Sequence, residues 1–207
     1  MSEMARPNTI EVSATALGWS ALAFPLALHS VHHAFGDRVP LLSFFGFAVF
    51  GGIALLLAGV YAVRNHDTFF TTAFTIFGLF WLNQATFGVL VMTGHIPPSD
   101  TGVNQEWMWL AITIFTIYMI VSSARVSLMA LIFFVTLELS QVLLTLGFFQ
   151  NERAGQGLVS LAGFIGTVAG LLAWYIAAAE IAQSVGASWS LPLGRNRAGV
   201  ATHPGEG

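Results

Sequence analysis

The sequence predicts an all-α integral membrane protein built as a bundle of six transmembrane helices. Three observations carry this expectation. Only 8% of the 207 residues are charged and 56% are hydrophobic, whereas a soluble domain has roughly a quarter of its residues charged. So few charges cannot cover a water-facing surface. The charges also bracket uncharged apolar runs at 12–36, 39–63, 68–99, 107–124, 126–151 and 154–179, with Glu138 the one acid inside a run. A bilayer core about 30 Å thick takes roughly 20 helical residues to cross. Finally, the runs are apolar all round. Barrel strands alternate apolar and polar residues, so each run must be a helix that closes its own backbone hydrogen bonds.

The first span follows a polar segment, Met1 to Val12, and is too long for a cleaved signal. Pro25 inside it removes one helix hydrogen bond and frees the carbonyl of Ala21. His29, His32 and His33 fall at its outer end, with His29 and His33 on one face at i, i+4. They are expected to line or cap an outer mouth. A pH-sensing role is a lesser reading, since histidine titrates near neutral pH. A metal pair is disfavoured because no carboxylate cluster joins them in sequence.

The second span carries small residues at Ala48, Gly52 and Gly59. The third has Thr68, Thr72 and Thr75, which can bond their own i−4 carbonyls. Asn83 and Gln84 cannot do this as readily and are expected to face protein, with an Asn83–Glu138 contact conceivable. A loop with Pro97 and Pro98 leads to the fourth span, opened by Trp107 and Trp109. These two, with Trp189 after the sixth span, suit an interfacial aromatic belt. Trp81 and Trp174 lie deeper and are expected to pack.

The fifth span exists only if Glu138 lies inside the membrane. A charge there costs roughly 2.5–3.5 kcal/mol on insertion scales, so the residue is a functional candidate. Gln141 and Thr145 follow at i+3 and i+7 on its face. Two readings stand side by side: a proton-titrating group beside a permeation path, or a neutral hydrogen-bonded acid that locks two helices. On the sixth span Ala162, Gly166 and Gly170 repeat at spacing four. Such small-residue faces let backbones approach closely, here more readily within a protomer than between protomers.

The chain thus divides into an N-terminal segment 1–12, a six-helix transmembrane domain 13–184 and a tail 185–207. The tail is rich in Gly, Pro and Arg and is expected to be a mobile end. Arg6, Arg64, Arg125, Arg195 and Arg197 fall on the side of the termini, against Arg38 and Arg153 on the other. The positive-inside rule then makes both termini cytoplasmic, in a plasma or inner membrane.

Several functions are set aside by what is missing. The chain has no cysteine and no lysine, so thiolate metal sites and a retinal Schiff base are excluded. His66, His95 and His203 lie in loops or the tail, which disfavours a bis-histidine haem. No metal and no cofactor is expected. A net charge of −3 argues against nucleic acid as a partner. No nucleophile–base–acid set and no nucleotide loop is visible, so the chain does not read as an enzyme. A pore or carrier for a small solute across the lipid bilayer fits best. A non-transporting structural or sensory oligomer is the reading from a different class.

Four ordered stretches narrow the solute. Gly51-Gly52-Ile53-Ala54 with Ala58-Gly59 resembles the second-helix signature of the acetate uptake transporter family. This family comprises the succinate–acetate permeases and their fungal acetate and ammonia-export relatives. Thr68-Phe69, Thr72-Ala73-Phe74-Thr75, Phe77-Gly78 and Phe80-Trp81 resemble its third helix. Ala124-Arg125-Val126 with Phe133-Phe134 resembles its fourth-to-fifth junction. Ala162-Gly163-Phe164-Ile165-Gly166, Glu180 and Leu191-Pro192-Leu193-Gly194 resemble its end. The likeness runs from Leu17 to Gly194.

It implies a homohexameric ring with one path per protomer. It also implies a hydrophobic constriction that falls, by position, on Leu22, Phe77 and Leu137. Phe77 stands where relatives have tyrosine, and Leu22 where they have phenylalanine. The family's opening Asn-Pro-x-Pro-Leu-Gly reads here Ser13-Ala14-Thr15-Ala16-Leu17-Gly18, and Leu55 replaces a glutamine. Substrate-binding candidates are Ser13, Thr15 and Leu17 on the first span and Thr72, Thr75 and Asn83 on the third. Glu138 is the proton-coupling candidate. The implied activity is passage of acetate or a similar small monocarboxylate, with a proton: a neutral acid crosses an apolar constriction at far smaller desolvation cost than a bare carboxylate. A channel for a small neutral solute such as urea or ammonia is the alternative.

Overall fold

In the computed structural model of the protein, residues 13–38 and 41–195 are described. The segment 1–12, with Arg6, and residues 196–207, with Arg197 and His203, lie outside the described residues.

Six long helices follow one another: α1 Ala14–Phe35, α2 Leu41–Arg64, α3 Thr68–Met92, α4 Pro98–Ser123, α5 Leu128–Phe149 and α6 Gly157–Ser184. A 3-10 turn, Gly36–Arg38, joins the first two. All six are long and apolar enough to cross a membrane, so the fifth span forms with Glu138 in its middle. The chain is an integral membrane protein.

Local sequence sets the starts. Ser13, Asp67 and Ser127 are N-caps whose side chains accept from the backbone N–H of Ala16, Phe70 and Ala130. These bonds satisfy donors that the first helical turn leaves open. Pro98 opens α4, where its missing N–H costs nothing.

The helices pack in the order α3, α2, α1, α6, α5, α4, with extensive contact between successive members. The order closes at α3 and α4, which touch sparsely. With α1 and α6 at its middle, the bundle has one tight core seam and one loose seam. The end where α1, α3 and α5 begin is called proximal, and the opposite end distal.

The tight seam is made by small residues. Gly163 lies so close to the backbone of Ser30 and Ala34 that a Cβ there would overlap them. Gly166 lies between the hydroxyls of Ser30 and Ser140, and Gly170 against Ala27. The Ser140 hydroxyl donates to the Ala162 carbonyl at 2.8 Å, and Ser160 to the Ala34 carbonyl at 2.8 Å. Small side chains allow the dispersion contacts that hold helices together where lipid and protein are equally apolar. The stripe on α6 therefore packs within the protomer. The α2 stripe does too, with Gly52 against Gly78 and Leu82 and Gly59 against Thr75. A Cβ at Gly51 would meet both the Pro25 ring and the Ala21 carbonyl that this proline frees.

Three expectations need correction. Trp109 is buried, at 3% exposure, while Trp107 is 62% exposed. The two stand about 200° apart on a helix, so only Trp107 suits an interfacial belt. Trp174 is on the outer surface, its ring edge-on to Phe24. The start of the tail is docked rather than loose. The carbonyls of Leu193 and Gly194 accept from Met129 and Leu128 N–H at 3.1 and 3.0 Å. Tyr175 donates its hydroxyl proton to the Pro192 carbonyl at 2.9 Å. Arg195 pairs with the buried Glu180 and donates to Gln183. The N–H groups at the start of α5 need acceptors, and this returning strap supplies them.

Candidate functional site

Side chains from α1, α3, α4 and α5 meet in the interior and sort into layers. Proximally, Ser13 caps α1 and its hydroxyl lies 3.0 Å from that of Thr15. Thr15 donates to Glu180 on α6 at 2.9 Å. The strap's Arg195 holds the other oxygen of Glu180. Leu17 packs partly buried against the core.

Above this lies an aromatic cluster. The Trp19 ring is edge-on to Phe70 and Phe74 of α3 and to Phe133 and Phe134 of α5, the closest at 4.8 Å. Edge-to-face pairs of this kind are each worth about 0.5–1.5 kcal/mol beyond their burial.

Leu22, Phe77 and Leu137 are all buried, at 2, 2 and 3% exposure, in one apolar cluster. Phe77 also meets Phe115 of α4 at 5.3 Å and Phe134 at 6.3 Å. The helices α1, α3 and α5 thus each contribute one of these apolar side chains to the core.

Distal to this apolar layer the interior turns polar. His29 and His33 are buried, with their Nε2 atoms 3.0 Å apart, so one donates to the other. The His29 ring lies against Trp81 of α3 and Trp109 of α4, at 5.6 and 5.2 Å. His32 is also buried, its ring 5.7 Å from that of His33. Trp109 Nε1–H donates to Gln105 Oε1 at 3.0 Å, and Gln105 Nε2 donates to Gln84 Oε1 at 3.5 Å. Thr113 and Thr145 hydroxyls lie 3.3 Å apart across α4 and α5. Gln84 and Gln141 are buried at 3 and 2% exposure. The histidines therefore line a buried layer within the last two turns of α1, His32 and His33 in its last turn.

The remaining candidates fall elsewhere. Thr72 donates to the Thr68 carbonyl of its own helix at 2.8 Å. The Thr75 hydroxyl lies against Gly59 of α2 rather than toward α1 or α5. Asn83 is exposed, a correction to its expected place against protein, and its amide meets Met108 Sδ at 2.8 Å. It makes no bond to Glu138. That carboxyl is half-buried on the margin of α5, with Val135 and Leu139 on the outer surface around it. Its Oε2 is buried without a hydrogen-bond partner among the described residues. Gln141 and Thr145 turn further inward than Glu138, so the stripe is split between the margin and the interior. Among the described residues no group of three or more His, Asp or Glu side chains is arranged to hold a metal.

Leu55 is fully buried among the core residues, so an apolar side chain occupies that place. Gln105 and Thr113 escaped the sequence reading, and Trp109 was read there only as a belt residue. Gln105 stood at a span's edge among loop residues, where its partnership with Trp109 one turn on carries no sequence signal.

A family model described as the GPR1/FUN34/yaaH family matches residues 2–193. Acetate permease A of Emericella nidulans is 30% identical over 158 residues, covering 70% of this chain and 52% of that protein. The chain thus spans about half the length of this relative. The succinate-acetate/proton symporter SatP of Escherichia coli strain K12 is 27% identical over 183 residues, covering 87% of this chain and 92% of the symporter. A solved structure of the bacterial acetate channel SatP superposes with a TM-score of 0.78 at 23% identity, over 88% of this chain and 99% of that one. That likeness establishes the six-helix fold.

Proposed function

The chain belongs to the GPR1/FUN34/yaaH family, and from that premise we propose that it carries acetate or a similar small monocarboxylate across a membrane. The observation that supports this reading is the layered interior. Leu22, Phe77 and Leu137 are buried in the apolar core, with polar side chains buried toward its proximal and distal ends. An apolar constriction between two polar layers rejects hydrated ions, because desolvating a charge costs many kcal/mol. A small acid passes it in neutral form. The names of the relatives, an acetate permease and a succinate-acetate/proton symporter, agree in solute class.

In this reading the solute meets the polar layer around His29 and His33, loses its water at Phe77, and leaves past Trp19 toward Ser13 and Thr15. Glu138 is the proton-coupling group, its uncompensated oxygen free to take a proton. Both termini lie in the cytoplasm, so the histidine layer is on the outer side of a plasma or inner membrane. The protein works as a homohexamer with one path per protomer. It moves its solute chemically unchanged and is no enzyme.

The test is uptake of labelled acetate into proteoliposomes holding the full chain, under imposed pH gradients. Uptake above empty liposomes, accelerated by an inward proton gradient, is expected. No uptake above that background overturns the solute assignment. Gradient acceleration that survives in Glu138→Gln removes Glu138 from proton coupling. Swelling in urea but not in acetate would select the neutral-solute channel instead.

A further inference from the structure

The amide orientations of Gln105 and Gln84 in the distal polar layer are fixed by chemistry. An indole N–H is only a donor, so the atom of Gln105 facing Trp109 Nε1 is its oxygen. The Gln105 amide nitrogen then faces Gln84 and donates to Gln84 Oε1. Gln84 is left with its Nε2, which carries two N–H donors. That nitrogen is buried and has no hydrogen-bond partner among the described residues. On α5, Gln141 Oε1 is likewise buried without a partner, and so is Nδ1 of His33 on α1. Each of these residues is more than nine-tenths buried. Buried amides and imidazoles are nearly always paired, and each unmade bond costs about 1–3 kcal/mol. An unpaired donor and an unpaired acceptor, both buried in the distal half of the bundle, point to a polar partner that the described residues do not supply.

Among the described residues the layer is polar but carries no fixed cation. The chain has no lysine. The described arginines, Arg38, Arg64, Arg125, Arg153 and Arg195, lie in the linking segments, at a helix end or in the strap. Sites for carboxylate anions commonly present arginine or lysine. Titratable groups around the layer are His29, His32 and His33 on α1, Glu106 on α4 and Glu138 on α5, while α3 contributes none.

We propose that this layer is a binding site for a small neutral solute bearing both a hydrogen-bond donor and an acceptor. For a monocarboxylate that species is the protonated acid. Gln84 Nε2 donates to its carbonyl oxygen, and its hydroxyl donates to Gln141 Oε1. A carboxylate anion cannot serve Gln141 Oε1, because it has only acceptors. Selection of the protonated form thus precedes the apolar constriction, and Gln84 and Gln141 are its specificity-determining residues. The inference rests on the acetate reading above and names the chemical form taken.

Acetamide provides the probe, since it has the shape of acetic acid, carries a donor and an acceptor, and does not titrate near neutral pH. Labelled-acetate uptake is measured in proteoliposomes of the full chain at one fixed pH, with acetamide or sodium nitrate as competitor. Acetamide is expected to inhibit in the native chain and nitrate is not. In Gln84→Leu, Gln84→Glu and Gln141→Leu the acetamide concentration for half-inhibition should rise roughly tenfold, about 1.4 kcal/mol per site. Gln84→Glu keeps the size of the side chain but loses its amide donors, and elution of each variant in detergent with the native chain checks folding. Acetate uptake that acetamide does not inhibit overturns the proposal, as does inhibition equal in all variants. If acetate is not taken up at all, the solute assignment fails separately. The layer is then tested by swelling in acetamide: faster than empty liposomes and slowed in both leucine variants supports it, and no such difference overturns it.

Discussion

At the scale of single residues, neighbours in sequence have opposite fates. Asn83 is exposed and Gln84 is buried, and Leu137 sits in the core while Glu138 lies on its margin. Successive residues on a helix point about 100° apart, so a one-residue slip exchanges a path-lining side chain for a peripheral one. Phe77 is the side chain whose size matters most, because it is the one ring among the three apolar members and meets rings on both α4 and α5. In Phe77→Ala the layer opens. Uptake of butyrate relative to acetate should increase severalfold, measured in parallel proteoliposome assays. Thermal unfolding in detergent should report a loss of about 3–5 kcal/mol, the usual cost of removing a buried phenyl ring.

Helices and their contacts show what holds the layers in register. The α1–α6 seam depends on the absence of side chains at Gly163 and Gly170. Gly163→Val forces the helices apart against two backbones that cannot give way. Overpacking of this kind costs about 1–3 kcal/mol or more, and a lowered midpoint in thermal unfolding, together with lost acetate uptake, is expected. The strap adds a second constraint. Arg195 is half-exposed and its partner Glu180 is buried, so the pair stands between an exposed bridge, worth about 0–1 kcal/mol, and a buried one, costing about 3–5 kcal/mol to break. Arg195→Ala leaves Glu180 with only Thr15 and should lose about 1–3 kcal/mol. Glu180→Gln together with Arg195→Ala should recover part of this, because no unpaired buried charge remains. A double-mutant cycle by chemical denaturation measures the difference.

For the whole molecule, orientation and assembly are the properties to test. The native chain contains no cysteine, so single introduced thiols report cleanly. A membrane-impermeant thiol reagent on intact cells should label Thr93→Cys at the distal end and spare Ser188→Cys until the cells are opened. The reverse pattern would invert the proposed orientation. Native mass spectrometry from mild detergent should give six copies, and a monomer under the same conditions would remove the ring.

The spans themselves were legible because charge spacing is set by the bilayer. Runs of about 20 apolar residues can only be helices there, and Glu138 had to lie within the fifth. The family was legible in the ordered glycine and aromatic stretches, and the apolar positions Leu22, Phe77 and Leu137 followed from it. The direction each helix faces was not legible. In a soluble helix the apolar stripe marks the inside, but lipid and protein interior are equally apolar, so the outer face of α5 reads like its core. Tertiary structure alone decided that Thr75 meets Gly59, that Trp109 is inside and Trp174 outside, and that the first residues of the tail cap α5. It also decided that Gln105, drawn in by Trp109, occupies the oxygen of Gln84 and leaves its donors without a partner among the described residues. Sequence determined that this chain crosses the membrane six times; packing determined which side chains a solute would meet on the way.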